Sequence, residues 1–377
     1  MTTIAPGSTI GILGGGQLGR LIAQSARQLG YGVVVLAPEQ DAPAFGLADR
    51  VFHASFEDTA AARRLADACH VVTYEFENVP EATVRALEDV VPVRPDATLL
   101  GITQDRVREH AFLHNNGVAT APGCPVVTRE DLDAAVARFG FPSRLKSARG
   151  GYDGGGQHRL RSPDDLAAAP LDGRVWLFER DVAFVAEVSV IVARGVDGVV
   201  RTFPVFENAH ADGILRLTRL PARVDPRLTA RAEEIARALA VAANLVGTLT
   251  VECFVTADDV LVNELAPRVH NSGHLTVEAC VTSQFEQHVR AICGLPLGDV
   301  ALRSPAAMVN LLGASDRRNV RLEGAQFALD VPDVHLHVYG KTSVRVRRKM
   351  GHVTALAPTA DLAVERAEAA AARLSFV

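Results

Sequence analysis

The chain has 377 residues, 48% hydrophobic and 22% charged, enough for two or three domains with substantial cores. A net charge of −5 argues against a general nucleic-acid binder, and no uninterrupted apolar stretch is long enough to span a bilayer. Five scattered cysteines without a C-x-x-C pair, and an N-terminus without a signal-peptide pattern, fit a reduced cytosolic protein lacking disulfides and a zinc site.

The first hundred residues alternate strands and helices. Ser8–Leu13 reads as an apolar strand, Arg20–Leu29 as a helix and Gly32–Leu36 as a second strand. Gly14-Gly15-Gly16-Gln17-Leu18-Gly19 has the spacing and the strand–turn–helix context of a dinucleotide-binding loop. The acid that would hold a ribose after the second strand is missing, because Leu36-Ala37-Pro38 stands there. The loop therefore suits a phosphorylated substrate better than a nicotinamide dinucleotide, with plain tight packing as the alternative. Val51–His53, a helix around Ala60–Ala68, Val71–Thr73, a helix Glu81–Leu87 and a strand Val91–Arg94 complete the unit. Ligands gather at the carboxyl ends of parallel strands. Glu75 or Asn78 is thus placed to reach the loop's ligand, unless the segment is a solvated loop. His53, His70, His110 and His114 read as packing or surface histidines.

A new helix starts at Thr103-Gln104-Asp105-Arg106, capped by Thr103 or Asp105, with Arg106 facing a nucleotide. Ala119–Pro125 reads as an extended linker, and Phe141–Lys146 as a strand that places Lys146. Arg149–Gln157 then carries five glycines around Tyr152 and Asp153. Such a loop exposes backbone N–H groups to phosphate oxygens, and it lacks the Gly-Lys-Ser/Thr of a Walker A motif. A strand lysine followed by a glycine flap resembles a nucleotide clamp; a simple glycine-rich hairpin is the alternative. Strands Val175–Glu179 and Val185–Ala193 are joined by Arg180–Val182, a hinge whose backbone suits an adenine edge. Glu187, the one acid inside an apolar strand, suits ribose hydroxyls. Phe206–His210, Asp212–Leu215 and a helix Ala230–Asn244 follow.

The next stretch reads as a hairpin of Leu249–Thr256 and Val260–Glu264 around Ala257-Asp258-Asp259. A three-residue turn sets Thr256 against Val260. The same register sets Glu252 against Glu264, with Cβ atoms about 4.5–5.5 Å apart. Like charges so placed repel unless a cation lies between them, and paired carboxylates suit Mg²⁺; two solvated glutamates are the alternative. Arg268-Val269-His270-Asn271 adds a cluster of anion donors, so the stretch points to phosphoryl chemistry. A helix Ser283–Ile292, strands Ala306–Leu311 and His335–Tyr339, and a helix Asp361–Leu374 complete the pattern. Between the last two, the basic run Val344–Val353 beside Gly340-Lys341 suits a phosphate ester, or is a solvated strand.

Eight blocks in order, including GGGQLGR at 14–20, YEFENV at 74–79, QDR at 104–106, ENAHADGIL at 207–215 and NELAPRVHNSGHLT at 263–276, cover nearly the whole chain. On them the sequence resembles the N5-carboxyaminoimidazole ribonucleotide synthetases, ATP-grasp carboxylases of purine biosynthesis. The resemblance implies an α/β protein with a Rossmann-like domain at 1–100, a two-lobed ATP-grasp at 101–298 and a small β-rich C-terminal domain at 299–377. The lid lobe would span about 120–185. It implies ATP with Mg²⁺, or Mn²⁺ in its place, and as partners bicarbonate and 5-aminoimidazole ribonucleotide, in a cytoplasmic homodimer. ATP would be held by Arg106, Lys146, Gly151, Tyr152, Asp153, Gly154, Gly155, Gly156, Gln157, Glu179, Arg180, Asp181, Val182, Glu187, His210, Asn263 and Glu264. Glu252 and Glu264 would hold the metal. Arg268, His270 and Asn271 would hold bicarbonate, with Tyr152 and Asp153 meeting the ribonucleotide and Asp153 a partner for its amine. Gly16, Gln17, Leu18, Glu75, Lys341 and Arg348 would complete the ribonucleotide site. The family's flap usually has Lys or Arg where this chain has Gly155, so one cationic phosphate contact is missing. Another ATP-grasp ligase, a formate-using transformylase or a biotin carboxylase, is the nearest alternative. A nicotinamide oxidoreductase and a catalytically silent binding protein are more distant ones.

Overall fold

The structure, a computed structural model, describes residues 3–151 and 155–377. Its N-terminal part is a parallel sheet in the order Arg50–His53, Gly32–Ala37, Thr9–Leu13, Val71–Tyr74. Both faces are covered. Ile10, Ile12, Val33 and Val35 pack with Leu18, Leu21 and Ile22 of the helix Gln17–Gln28. Leu13, Val34 and Leu36 pack against Leu65 and Val84 on the other side. Continuous apolar strands are what such two-sided burial requires. Strand order reverses between Thr9–Leu13 and Val71–Tyr74, so a ligand crevice opens beyond their carboxyl ends, at the glycine loop and Glu75. The expected strand at 91–94 is reduced to a single parallel bridge between Val72 and Val93. Pro92 and Pro95, which lack N–H donors, flank that bridge and end the ladder.

A second sheet runs in the order Gly123–Val126, Trp176–Arg180, Ser143–Ser147, Gln157–Leu160. Gly123–Val126 lies in the segment expected to be a linker. It is an edge strand, the place where a sheet tolerates Pro125. Leu145, Trp176 and Phe178 pack there against Leu132 and Ala135 of the helix Arg129–Phe139.

The largest sheet is antiparallel. It runs Val260–Ala266, Gly247–Val255, Ala186–Arg194, Phe206–Ala211, Ile214–Leu220, Ala306–Leu312, Lys349–Leu356, Val334–Val338. The C-terminal strands thus continue the central sheet, joined where Ile214–Leu220 pairs with Ala306–Leu312. The helix Gln284–Cys293 carries Phe285, Val289 and Ile292 into the core of the parallel sheet. On that helix, His288 is buried between Thr73 and Thr248, 2.9 Å from each hydroxyl, which ties the two sheets together.

In the hairpin, Glu252 pairs with Glu264, as expected. The route differs. Val255 pairs with Val260, so four residues form the turn, closed by the Thr256 N–H on the Asp259 carbonyl at 2.9 Å. A bulge at Asn263, the extra residue opposite the Glu252–Cys253 step, takes up the shift and restores the carboxylate pairing.

Candidate functional site

The parallel sheet's crevice, the second sheet and one face of the long sheet enclose a cavity of about 540 Å³. Glu252 and Glu264 form part of its floor. Arg106, expected to face the nucleotide, places its guanidinium 3.0 Å from Glu264 Oε2. It starts the helix Arg106–Asn115, capped by Asp105, whose carboxylate accepts from the Val107 and Arg108 N–H groups. Glu109 and His110, three and four residues on, share that helix face. Glu109 Oε1 accepts from the Leu265 N–H at 2.7 Å, next to Glu264. Burial pushes the Glu109 carboxyl up to about 8, although Arg106 opposes the shift.

Lys146 is almost fully buried, in contact with the Glu179 carboxylate, and donates to Asn263 Oδ1 at 3.2 Å. His110 Nε2 lies 3.0 Å from the other Glu179 oxygen, so this buried histidine is not isolated but braces a residue of the cavity wall. Burial alone would raise the Glu179 carboxyl, but Lys146 and His110 hold it well below the usual carboxylate range. The side chain of Glu179 thus anchors the lysine. In the hinge, the Arg180 and Asp181 N–H groups donate to the Pro122 and Pro142 carbonyls, at 2.8 and 2.9 Å. Neither is available to an adenine edge. Asp181 accepts from Arg144 at 2.7 Å and Arg159 at 3.2 Å, and Val182 lines the cavity. Glu187 is in contact with His210 Nδ1. Burial works against the imidazolium there, but Glu187 outweighs it and raises the His210 pKa. From the flap, Gly151 and Gln157 line the cavity. Gly155 carries no side chain toward it, and Gly156 has φ +70, with Ser147 Oγ 2.5 Å from where a Cβ would stand. Tyr152, Asp153 and Gly154 lie outside the described residues.

The expected anion donors prove unequally engaged. Both Nε and NH2 of Arg268 meet the Glu77 carboxylate, the NH2 contact at 2.9 Å. Burial would raise the Glu77 carboxyl, but Arg268 lowers it. Gln104 donates to the Glu77 carbonyl at 2.6 Å and also to that of Val79, which pins the segment carrying Glu77. His270 Nε2 lies 2.8 Å from Glu252 Oε1. Burial raises the Glu252 carboxyl, and His270 outweighs it to leave a net lowering. Asn271 is 7% exposed, lines the cavity, and neither its Oδ1 nor its Nδ2 has a hydrogen-bond partner among the described residues.

At the glycine loop the structure supplies the anion itself. The two oxygens of Glu75 accept from the Gly16 and Gly19 N–H groups, the latter at 2.6 Å. A Cβ at Gly14 would stand 2.4 Å from Glu75 Cγ, and one at Gly16 2.6 Å from Glu75 Oε1. The glycine spacing is thus explained by an internal carboxylate, and a dinucleotide phosphate would have to displace it. Burial raises the Glu75 carboxyl against the lowering effect of those two N–H groups. Lys341 donates to Gln17 Oε1 at 2.9 Å and to the Lys349 carbonyl at 2.6 Å. Burial, helped by Arg348, pushes its ammonium down to about 7. Arg348 donates to the Ser343 carbonyl and hydroxyl at 2.7 and 2.6 Å. Gln17, Leu18 and Lys349 line the cavity. Sequence reasoning left Glu77 and Glu109 unassigned, read His110 as a packing or surface histidine, and took Lys349 only as part of the basic run 344–353. The helical spacing of 106, 109 and 110 was a local signal for Glu109 and His110.

Residues 7–104 match the ribonucleotide synthetase preATP-grasp domain, 111–285 the ATP-grasp domain, and 306–366 the phosphoribosylaminoimidazole carboxylase C-terminal domain. The N5-carboxyaminoimidazole ribonucleotide synthase of Bacillus subtilis is 44% identical, over 93% of this chain and 92% of that one. A synthetase of the same name, crystallised with ADP, superposes with a TM-score of 0.92 at 43% identity over 98% of each chain. The Aspergillus clavatus enzyme, crystallised with ADP and 5-aminoimidazole ribonucleotide, gives 0.88 at 32% identity, covering 97% of this chain and 99% of that one. The chain belongs to the N5-carboxyaminoimidazole ribonucleotide synthase family of ATP-grasp ligases.

Proposed function

We propose that this enzyme carboxylates the exocyclic amine of 5-aminoimidazole ribonucleotide, consuming ATP and bicarbonate and giving N5-carboxyaminoimidazole ribonucleotide, ADP and phosphate, in purine biosynthesis. The observation that carries the reading is Asn271. A buried amide with both polar atoms unpaired is costly unless a ligand satisfies it, and this residue lines the cavity together with Arg268 and His270. A small planar anion with donor and acceptor oxygens, such as bicarbonate, fits that demand.

Bicarbonate is a poor electrophile. Transfer of the γ-phosphoryl group to its oxygen gives carboxyphosphate, which delivers CO₂ to the amine and leaves as phosphate. Positioning and charge neutralisation supply most of the help such a transfer needs. Lys146, held by Glu179 and Asn263, brings a cation to the nucleotide phosphates. Arg268, His270 and Asn271 orient bicarbonate. Lys341 and Arg348 hold the ribonucleotide phosphate beside Gln17, and Tyr152 and Asp153 are the residues assigned to meet the ribonucleotide. The facing carboxylates of Glu252 and Glu264 are a hard-oxygen donor set that fits Mg²⁺, and Mn²⁺ as well. When bound, the metal neutralises the phosphate charge that builds up during transfer. The same reading takes the enzyme as a cytosolic homodimer of three parts, divided near residues 100 and 298; the dimer rests on family resemblance, and light scattering measures it.

The test is phosphate release from ATP with and without ribonucleotide and bicarbonate. Release that requires both is expected. No ribonucleotide-dependent release refutes the reading.

A further inference from the structure

Behind His270 a buried row of polar groups crosses the three strands Ala186–Arg194, Phe206–Ala211 and Ile214–Leu220. Thr218 Oγ1 donates to Asn208 Oδ1 at 3.1 Å, and Asn208 Nδ2 donates to Ser189 Oγ at 2.9 Å. Ser189 Oγ lies 2.8 Å from Ser272 Oγ, which lies 2.9 Å from His270 Nδ1. His270 Nε2 then meets Glu252 at 2.8 Å. Thr218, Ser189 and Ser272 are fully buried, and Asn208 nearly so. The sheet register builds the row: Asn208 pairs with Thr218, and Ser189 pairs with Glu252. Polar side chains in such a core are destabilising unless every partner is in place.

The donor directions follow from the inventory of each group. The Ser272 N–H also points at His270 Nδ1, at 3.3 Å, so that nitrogen accepts and its hydrogen-free face meets the Ser272 hydroxyl. The Ser272 hydroxyl therefore donates to Nδ1. Ser272 Oγ then accepts from the Ser189 hydroxyl, and Ser189 Oγ accepts from Asn208. Assigned from this network, the ring proton sits on Nε2 and points at Glu252. Every donor in the row points the same way. With the other tautomer, a lone pair on Nε2 would face the carboxylate.

We propose that Thr218, Asn208, Ser189 and Ser272 form a positioning relay that fixes His270 as its Nε2–H tautomer and aims it at Glu252. The relay acts through His270. The inference rests on the reading of His270 as a bicarbonate-site residue.

The test uses Ser272→Ala, Ser189→Ala and Thr218→Val, with ¹⁵N-histidine spectra, steady-state turnover and melting curves. Wild type should show the Nε2–H signature for His270. Ser272→Ala keeps the backbone N–H on Nδ1 but removes the hydroxyl, so it should shift the signature toward a mixture with the Nδ1–H form and lower kcat by about 10–100-fold, the usual cost of removing a partner behind a ligand, with the ATP KM within about twofold. Ser189→Ala should do less, and Thr218→Val least. The double variant Ser272→Ala/Ser189→Ala should be no slower than Ser272→Ala, because both act through one ring. His270→Ala separates the two claims. If it turns over like wild type, the role given to His270 fails. If it is inactive while Ser189→Ala and Ser272→Ala keep wild-type kcat and the wild-type ¹⁵N signature, the relay is overturned. Should Ser272→Ala melt early, Ser189→Ala and Thr218→Val carry the same comparison.

Discussion

Two places in this molecule aim donors at a negative charge. At the glycine loop, the Gly16 and Gly19 N–H groups converge as they would on a phosphate, and Glu75 of the neighbouring strand fills the position. At residues 268–271, Arg268 is met by Glu77 and His270 by Glu252, while both polar atoms of the Asn271 amide have no partner among the described residues. The loop matches a known motif and is satisfied from within. The second site matches a less general pattern and carries the unsatisfied group. A buried polar group without a partner points to a ligand where it also lines a cavity, as Asn271 does.

Substitutions can break or sharpen this contrast. Glu264→Gln removes one of the facing carboxylates at the edge of the cavity. Turnover should fall by roughly a thousandfold, comparable to losing a main electrostatic stabiliser, while the melting temperature stays within a few degrees. Near-normal turnover would remove Glu264 from the metal site. Asn271→Ala should lower kcat/KM for bicarbonate by roughly a hundredfold and leave stability unchanged or slightly higher, because it deletes an unpaired buried amide. A large loss of stability without a loss of activity would show that Asn271 is structural after all.

Glu75→Gln should behave in the opposite way. Its amide would set a donor against Gly16 or Gly19, and chemical denaturation should show a loss of about 2–3 kcal/mol. A raised ribonucleotide KM with unchanged stability would break the contrast from the other side. The smallest effect is a pH dependence. The Lys341 ammonium, lowered by burial to about 7, is charged below that value and loses its proton as pH rises through it. Ribonucleotide KM should therefore rise several-fold between roughly pH 7 and 9, and Lys341→Arg should flatten the rise, because a guanidinium keeps its charge. A wild-type KM independent of pH over that range would exclude Lys341 from the phosphate site.

The parallel unit was legible because its apolar runs and its glycine turn are local signals. The edge strand Gly123–Val126 was hidden by Pro122 and Pro125, which read as linker. The facing of Glu252 and Glu264 came out right through a turn that is one residue longer than expected, because the bulge at Asn263 cancels the shift. No local periodicity contains either half of that compensation. The same limit applies to the partners of the site residues. Glu77 lies 191 positions from Arg268, and Glu75 56 from Gly19, so their pairing exists only in the folded chain. Ser189 stands between two valines and Thr218 between Leu217 and Arg219, and only sheet register lines them up with Asn208 and Glu252.

The central claim is that bicarbonate carbon ends on the amine of the ribonucleotide at the expense of ATP. Incubating the enzyme with ¹³C-bicarbonate, ATP, Mg²⁺ and 5-aminoimidazole ribonucleotide, and following the ¹³C spectrum alongside phosphate, measures it directly. A carbamate carbon bonded to the exocyclic nitrogen, formed one for one with phosphate, is the expected result. Phosphate released without that carbon, or labelled carbon incorporated without ATP, would contradict the account.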